Sequence, residues 1–245
     1  GPLLIPLFGT QDGFAFAMLA VYVAFVAFAV ALLSRRTRTK PAATPVGALM
    51  RFTKAAPLLV AMVFAFGFAD IAAISGMPLY LVRTGHGESF AAIVVTALAL
   101  PTAFAQPVVG YLLDTLPRHL VAAGCGLITA LSFFAIPFLD GQIAILAAIA
   151  VMGAASFSLW TCAITLLGAG YSGAMVSAGS AVFSLAYAVG SGAGSTAIGV
   201  AMNLFSPQAG PVAIGLGVLL VLARIVLDAG LLVAVLASGV VLLVA

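Results

Sequence analysis

Charged residues are scarce in this chain: they make up 6% of its 245 residues, against roughly 25% in a soluble domain. A water-soluble globular protein is thereby excluded. The nine basic and six acidic residues are too few and too scattered for a nucleic-acid footprint, so no nucleic-acid partner is expected. Only two cysteines occur, Cys125 and Cys162. Each lies inside a hydrophobic run, which argues against a disulfide framework or a zinc site and for small packing residues. The two histidines, His86 and His119, fall between the runs. The buried axial ligands of a haem protein and the buried base of an intramembrane serine protease are therefore both missing. There is also no Walker-type phosphate loop and no buried carboxylate pair. Hydrolytic chemistry and primary pumping have no visible apparatus; no enzyme activity, cofactor or metal is expected.

What the chain has instead is oil. Hydrophobic residues make up 64% of it, the mean hydropathy is +1.32, and the apolar residues fall into runs of about twenty or more separated by short polar punctuation. The 26 glycines suit close helix packing in a bilayer, while the alternating strands of roughly ten residues that a transmembrane barrel requires are absent. The fold class is all-α, a polytopic helical bundle in a membrane, with a plasma (bacterial inner) membrane as the expected location.

The first span is predicted over Phe14–Leu33. Residues 34–56 form the long polar stretch and carry Arg35, Arg36, Arg38, Lys40, Arg51 and Lys54, six of the nine basic residues. The positive-inside rule puts that loop in the cytoplasm. Six spans follow in alternation: Pro57–Val82, Ser89–Leu113, Leu120–Leu139, Ile143–Gly168, Ser177–Phe205, and one starting near Gly210 that brings Arg224 back inside. A helix from Gly210 to Ala245 would be about 50 Å long, beyond the roughly 30 Å hydrocarbon core. A break is expected near Asp228 and Gly230, and residues 229–245 form a hydrophobic tail without an assigned place. The chain has no initiator methionine, so an upstream portion is expected to be missing; Gly1-Pro2 also fits a protease scar.

A basic cytoplasmic loop followed by six closely spaced spans resembles the central loop and carboxyl-terminal half of a major facilitator superfamily transporter. The segment Gly110-Tyr111-Leu112-Leu113-Asp114-Thr115-Leu116-Pro117-Arg118-His119 looks like that family's Gly-x-Leu-x-Asp-Arg-x-Gly-Arg-Arg motif. Gly110, Leu112, Asp114 and Arg118 match, whereas Thr115, Pro117 and His119 depart. Gly1-Pro2 with the apolar residues to Gly9 looks like the end of the family's fifth helix, which makes residues 1–33 helices five and six. The resemblance implies that residues 57–228 are a six-helix transport half built from inverted three-helix repeats. It also implies a missing amino-terminal half as partner and a gating role for Gly110, Asp114 and Arg118. Independently, Gly110 can admit a close helix neighbour, and Asp114 and Arg118 can form charge-assisted bonds to a neighbouring helix end or serve as solvated loop charges.

Four places could carry transport. Asp70 has thirteen residues of its span before it and twelve after. An aspartate at a helix centre costs about 2.5–3.5 kcal/mol to insert, so it needs a cavity, a partner or a proton. It is either a proton carrier or cation-binding group, or a protonated link to a neighbouring helix. In the next span Thr102, Gln106 and Gly110 recur at i, i+4 beside Pro101 and Pro107, which can kink a helix and free carbonyls. Gln106 can meet a substrate or fasten two helices. In the fourth span Ser158, Thr161 and Thr165 share a face near Cys162 and Trp160; the tryptophan can stack on an aromatic or cationic solute or sit at the membrane interface. In the fifth, Ser177, Ser180, Ser184, Tyr187, Ser191 and Ser195 line one face, and Gly190 and Gly194 stand at GxxxG spacing. That stripe reads first as a packing surface, with Tyr187 alone large enough to reach a cavity. The resemblance implies that the spans holding Asp70 and Trp160 line the central cavity. Leu120–Leu139 and Gly210–Leu222, nearly free of polar groups, are expected to face lipid.

The expected function is secondary transport of a small solute by alternating access, coupled to protons, with lipid, protons and the solute as partners. With no Lys or Arg mid-span, neutral or cationic solutes are favoured over anions. The rival is a membrane scaffold or sensor on the same helices, which a sealed Asp70 without aqueous access would favour.

Overall fold

A computed structural model of the protein describes residues 14–34 and 46–228, and every element in them is helical. In chain order these are α1 (Phe14–Ser34), α2 (Val46–Ala55), α3 (Pro57–Ile71), a π-helical turn (Ala72–Gly76), α4 (Met77–Arg83) and α5 (Glu88–Thr115). They are followed by α6 (Arg118–Ala135) with a terminal 3-10 turn (Ile136–Phe138), α7 (Gln142–Gly170), α8 (Ala174–Leu204) and α9 (Ala209–Asp228). Five helical stretches among the described residues are long and apolar enough to cross a membrane: Pro57–Arg83, Glu88–Thr115, Arg118–Phe138, Gln142–Gly170 and Ala174–Leu204. Each matches a span expected from hydropathy to within three residues at either end. The expectations for residues 1–13, for the basic residues Arg35, Arg36, Arg38 and Lys40, and for the 229–245 tail lie outside the described residues.

The loops are short because glycine turns them. Gly141 and Gly173, at φ +96° and +57°, start α7 and α8 from a backbone region that a side chain would strain. Two contacts check the alternation of the spans. Arg83 Nη1 donates to Asn203 Oδ1 at 2.8 Å, so α4 and α8 end on the same side. At the other side Tyr171 Oη, just past α7, donates to the carbonyl of Ala55, just before α3, at 3.4 Å.

The packing pattern exchanges two triplets. Call α3–α4, α5 and α6 the first and α7, α8 and α9 the second. The first helix of each packs on the second helix of the other, α3 on α8 and α7 on α5; α6 then lies on α7 as α9 lies on α3, and α6 meets α9. Swapping the triplets leaves this pattern unchanged, and because each triplet has three spans, the second runs upside down relative to the first. Inverted three-helix repeats look like this. Glycine sets the close approaches. A Cβ at Gly190 or Gly194 would overlap the carbonyls of Phe64 and Phe68 on α3, and one at Gly153 on α7 would overlap the carbonyl of Leu98 on α5. The glycines of α8 are therefore a packing surface, but the serine stripe is not: Ser177, Ser180 and Ser184 are exposed, and Ser180 and Ser184 bond back to carbonyls of their own helix.

Three further expectations change. The basic loop contains α2, an amphipathic helix whose Ala48 and Phe52, with Ala56 one turn on, are buried while Arg51 and Lys54 stay exposed. The helices α6 and α9 are not wholly lipid-facing: Leu127, Ile128, Leu131, Leu216 and Leu220 are exposed, but Gly126 meets Leu222 and Gly215 meets Phe134 across their shared contact. Gly110 admits no close neighbour, since nothing lies within 4 Å of the position its Cβ would take.

Candidate functional site

Asp70 ends the regular part of the first span, one residue before α3 gives way to the π-turn. Pro78 accounts for that turn: it has no N–H to return to the ladder, and the helix widens upstream of it. The π-turn continues directly into α4, so the span stays unbroken around the carboxyl.

The carboxyl is buried, Asp70 being 4% exposed. Its Oδ2 accepts a hydrogen bond from Tyr187 Oη at 2.9 Å, while Oδ1 has no hydrogen-bond partner among the described residues. Gly67 makes the first contact possible. A Cβ on Gly67 would stand 2.6 Å from the backbone oxygen of Tyr187, so only a glycine lets α3 and α8 approach closely enough for the phenol to reach the carboxyl one turn on.

Asp70 and Tyr187 share the wall of a cavity of about 360 Å³ with Phe66, Phe157, Trp160 and Ser184. Phe66 is its hub. Its ring centroid lies 5.3 Å from Phe157, 5.8 Å from Trp160 and 5.5 Å from Tyr187, at interplanar angles of 65°, 40° and 34°. Trp160 is half-buried and also touches Phe183, with centroids 6.2 Å apart. It thus stands on a cavity wall, ten residues before the end of α7. Among the described residues no Lys, Arg or His lines the cavity.

The remaining predicted residues go elsewhere. Thr161 Oγ1 donates to Gln106 Oε1 and so fastens α7 to α5, while Thr102 Oγ1 turns back onto the carbonyl of Ala99 at 2.6 Å; none of the three lines the Asp70 cavity. Ser158 is buried and bonds the carbonyl of Ala154 at 2.7 Å. Asp114 is exposed and Arg118 half-buried at the turn between α5 and α6, and neither is engaged by another of the described residues. Sequence reasoning missed Phe66 and Phe157. Both carried a signal, standing four residues before Asp70 and three before Trp160, the spacings that share a helix face. Among the described residues no three His, Cys, Asp or Glu side chains come together to hold a metal.

The profile of the Major Facilitator Superfamily matches residues 1–195, a stretch that includes Asp70, Tyr187 and the Gly110–His119 segment. The chain belongs to the Major Facilitator Superfamily. It is an integral membrane protein, a membrane transporter of the major facilitator kind. No curated protein and no solved structure matches it. Within this major facilitator chain, the helices that open the two triplets, α3 and α7, supply Phe66, Asp70, Phe157 and Trp160 to one cavity, and α8 supplies Ser184 and Tyr187. A second, larger recess of about 610 Å³ runs between α3, α8 and α9, with Val60, Phe64, Leu185 and Leu220 among its walls and no ionisable side chain.

Proposed function

We propose that this chain provides the carboxyl-terminal half of a secondary active transporter that moves a small solute by alternating access, coupled to protons through Asp70. One observation carries the reading: a carboxyl near the middle of a membrane span lies on a cavity wall with one oxygen held by Tyr187 and the other without a donor. Burying a charge without a full set of partners is costly, and a proton relieves that cost. A group whose burial cost depends on what it binds can load on one side and release on the other. A scaffold or sensor is expected to seal such a carboxyl among its neighbours, and a cavity wall beside it favours transport instead.

The amino-terminal helical half is the proposed partner that closes the cavity from the opposite side, rocking against the six spans that α3–α9 make up. Asp114 and Arg118, unengaged at the α5–α6 turn, are placed to make and break contacts with a neighbouring helix end as the gate, in a plasma (bacterial inner) membrane. The test is Asp70→Asn in the protein reconstituted into vesicles, with an imposed proton gradient. Proton-linked flux should disappear while insertion and helix content stay normal; unchanged flux would remove Asp70 from the mechanism.

A further inference from the structure

We infer that the Asp70 cavity takes an alkylated organic cation, a tertiary or quaternary ammonium group on a small apolar body. This inference rests on the transport reading above and names its substrate class. The first argument is the ring set. Phe157, Trp160 and Tyr187 each meet Phe66 at a tilted or edge-on angle, so the rings that share the cavity wall are not a parallel stack. A ring face attracts a cation within about 6 Å of its centroid, and a cage of several rings is the usual receptor for a methylated ammonium.

Charge is the second argument. Among the described residues Asp70 supplies the only ionisable carboxyl in the wall, it is 4% exposed, and its Oδ1 meets no donor. Beside the apolar rings of the wall, where the effective dielectric lies below that of bulk water, a carboxylate acts on a neighbouring cation more strongly than it would in solution. An anionic solute meets this carboxyl and finds no basic side chain among the described lining residues.

The third argument is hydrogen-bonding capacity. The Tyr187 hydroxyl is given to Asp70 at 2.9 Å and the Ser184 hydroxyl to the carbonyl of Ser180 at 3.1 Å. With both hydroxyls committed, the Trp160 indole N–H is the donor left in the described wall, so a hydroxyl-rich solute such as a sugar would leave most of its own groups unpaired. A quaternary ammonium asks for no donor and no acceptor. The cavity, at about 360 Å³, lies toward the small end of the ligand sites of roughly 300–1,000 Å³, which limits the occupant to a compact cation.

Equilibrium binding to the purified protein in detergent tests this, with choline and tetraethylammonium as probes and dimethylbutanol as the uncharged carbon isostere of choline. The cations should bind at least about tenfold more tightly than the isostere. Trp160→Ala should weaken them by about fivefold to thirtyfold, the span of a desolvated cation–ring contact; Trp160→Phe should restore most of that. Asp70→Asn should remove measurable binding, with circular dichroism verifying its fold. An isostere that binds as well as choline, or Asp70→Asn protein that binds choline undiminished, overturns the inference. Proton-linked flux of an uncharged solute with no choline binding also overturns it and leaves transport standing. Choline binding that obeys all three variants but drives no flux upholds the cage and overturns the transport reading.

Discussion

Gly67, with Gly190 and Gly194, sets the contact between α3 and α8, and its replacement by alanine has a calculable effect. The new Cβ would stand 2.6 Å from the Tyr187 backbone oxygen and 3.1 Å from its Cδ2, where ordinary contact begins at 3.4 Å. The helices must therefore part by 3.4 − 2.6 = 0.8 Å. Moving Tyr187 away by that amount lengthens its 2.9 Å bond to Asp70 to about 3.7 Å, beyond a useful hydrogen bond. Overpacking of this kind costs about 1–3 kcal/mol, offset by about 0.5–1 kcal/mol from the better helix propensity of alanine. The net loss is up to about 2.5 kcal/mol, together with the loss of the Tyr187–Asp70 bond. Gly110→Ala is the matched control for stability, because no described residue lies within 4 Å of a Cβ there and only the propensity gain remains. Thermal unfolding in detergent reads both variants, and proton-linked flux in vesicles reads Gly67→Ala. Gly67→Ala protein as stable and active as the parent, or Gly110→Ala protein destabilised to the same degree, would refute the reasoning.

Two other substitutions probe neighbouring contacts. Tyr187→Phe removes the one hydrogen-bond donor described on Asp70; a lost bond to an ionisable buried group costs about 1.5–3 kcal/mol, and thermal unfolding together with a fall in flux should register it, whereas an unchanged protein would make the bond incidental. Phe52→Ala empties the slot between Tyr171 and Phe183, whose ring centroids lie 5.2 Å and 6.0 Å from its own. At about 3–5 kcal/mol for a buried phenylalanine, α2 should detach, seen as faster hydrogen exchange across Val46–Ala55 while α7 keeps its protection. Uniform exchange through both helices would contradict a local role.

The spans were legible in the sequence because a bilayer demands a long apolar run, and the cost of breaking one is high at every residue. The helix α2 was not, because ten residues with basic side chains on one face read as loop until Phe52 has a place to go. Asp70 announced itself as a charge in oil, and Tyr187 stood out against a stripe of serines. Phe66 and Phe157 stand four and three residues before Asp70 and Trp160, but the apolar residues around them gave that spacing little contrast until the folded arrangement brought the rings together. Gln106 and Thr161 were visible as polar groups, but which way a polar group faces depends on the neighbouring helix, and here each had the other to bind. Gly110 shows the same point from the opposite side: a small residue marks where a neighbour can come, not that one does.

The exchanged packing of the two triplets also has a consequence during biogenesis. Asp70 and Tyr187 are 117 residues apart, so at about 5–20 residues per second the ribosome delivers the phenol roughly 6–23 s after the carboxyl. Through that interval α3 sits in or beside the translocon without the helix that most fully covers it, so a span that inserts before five others is completed late. Quality control that recognises an orphan acidic helix has its widest opportunity in those seconds, before the final hairpin arrives to claim it.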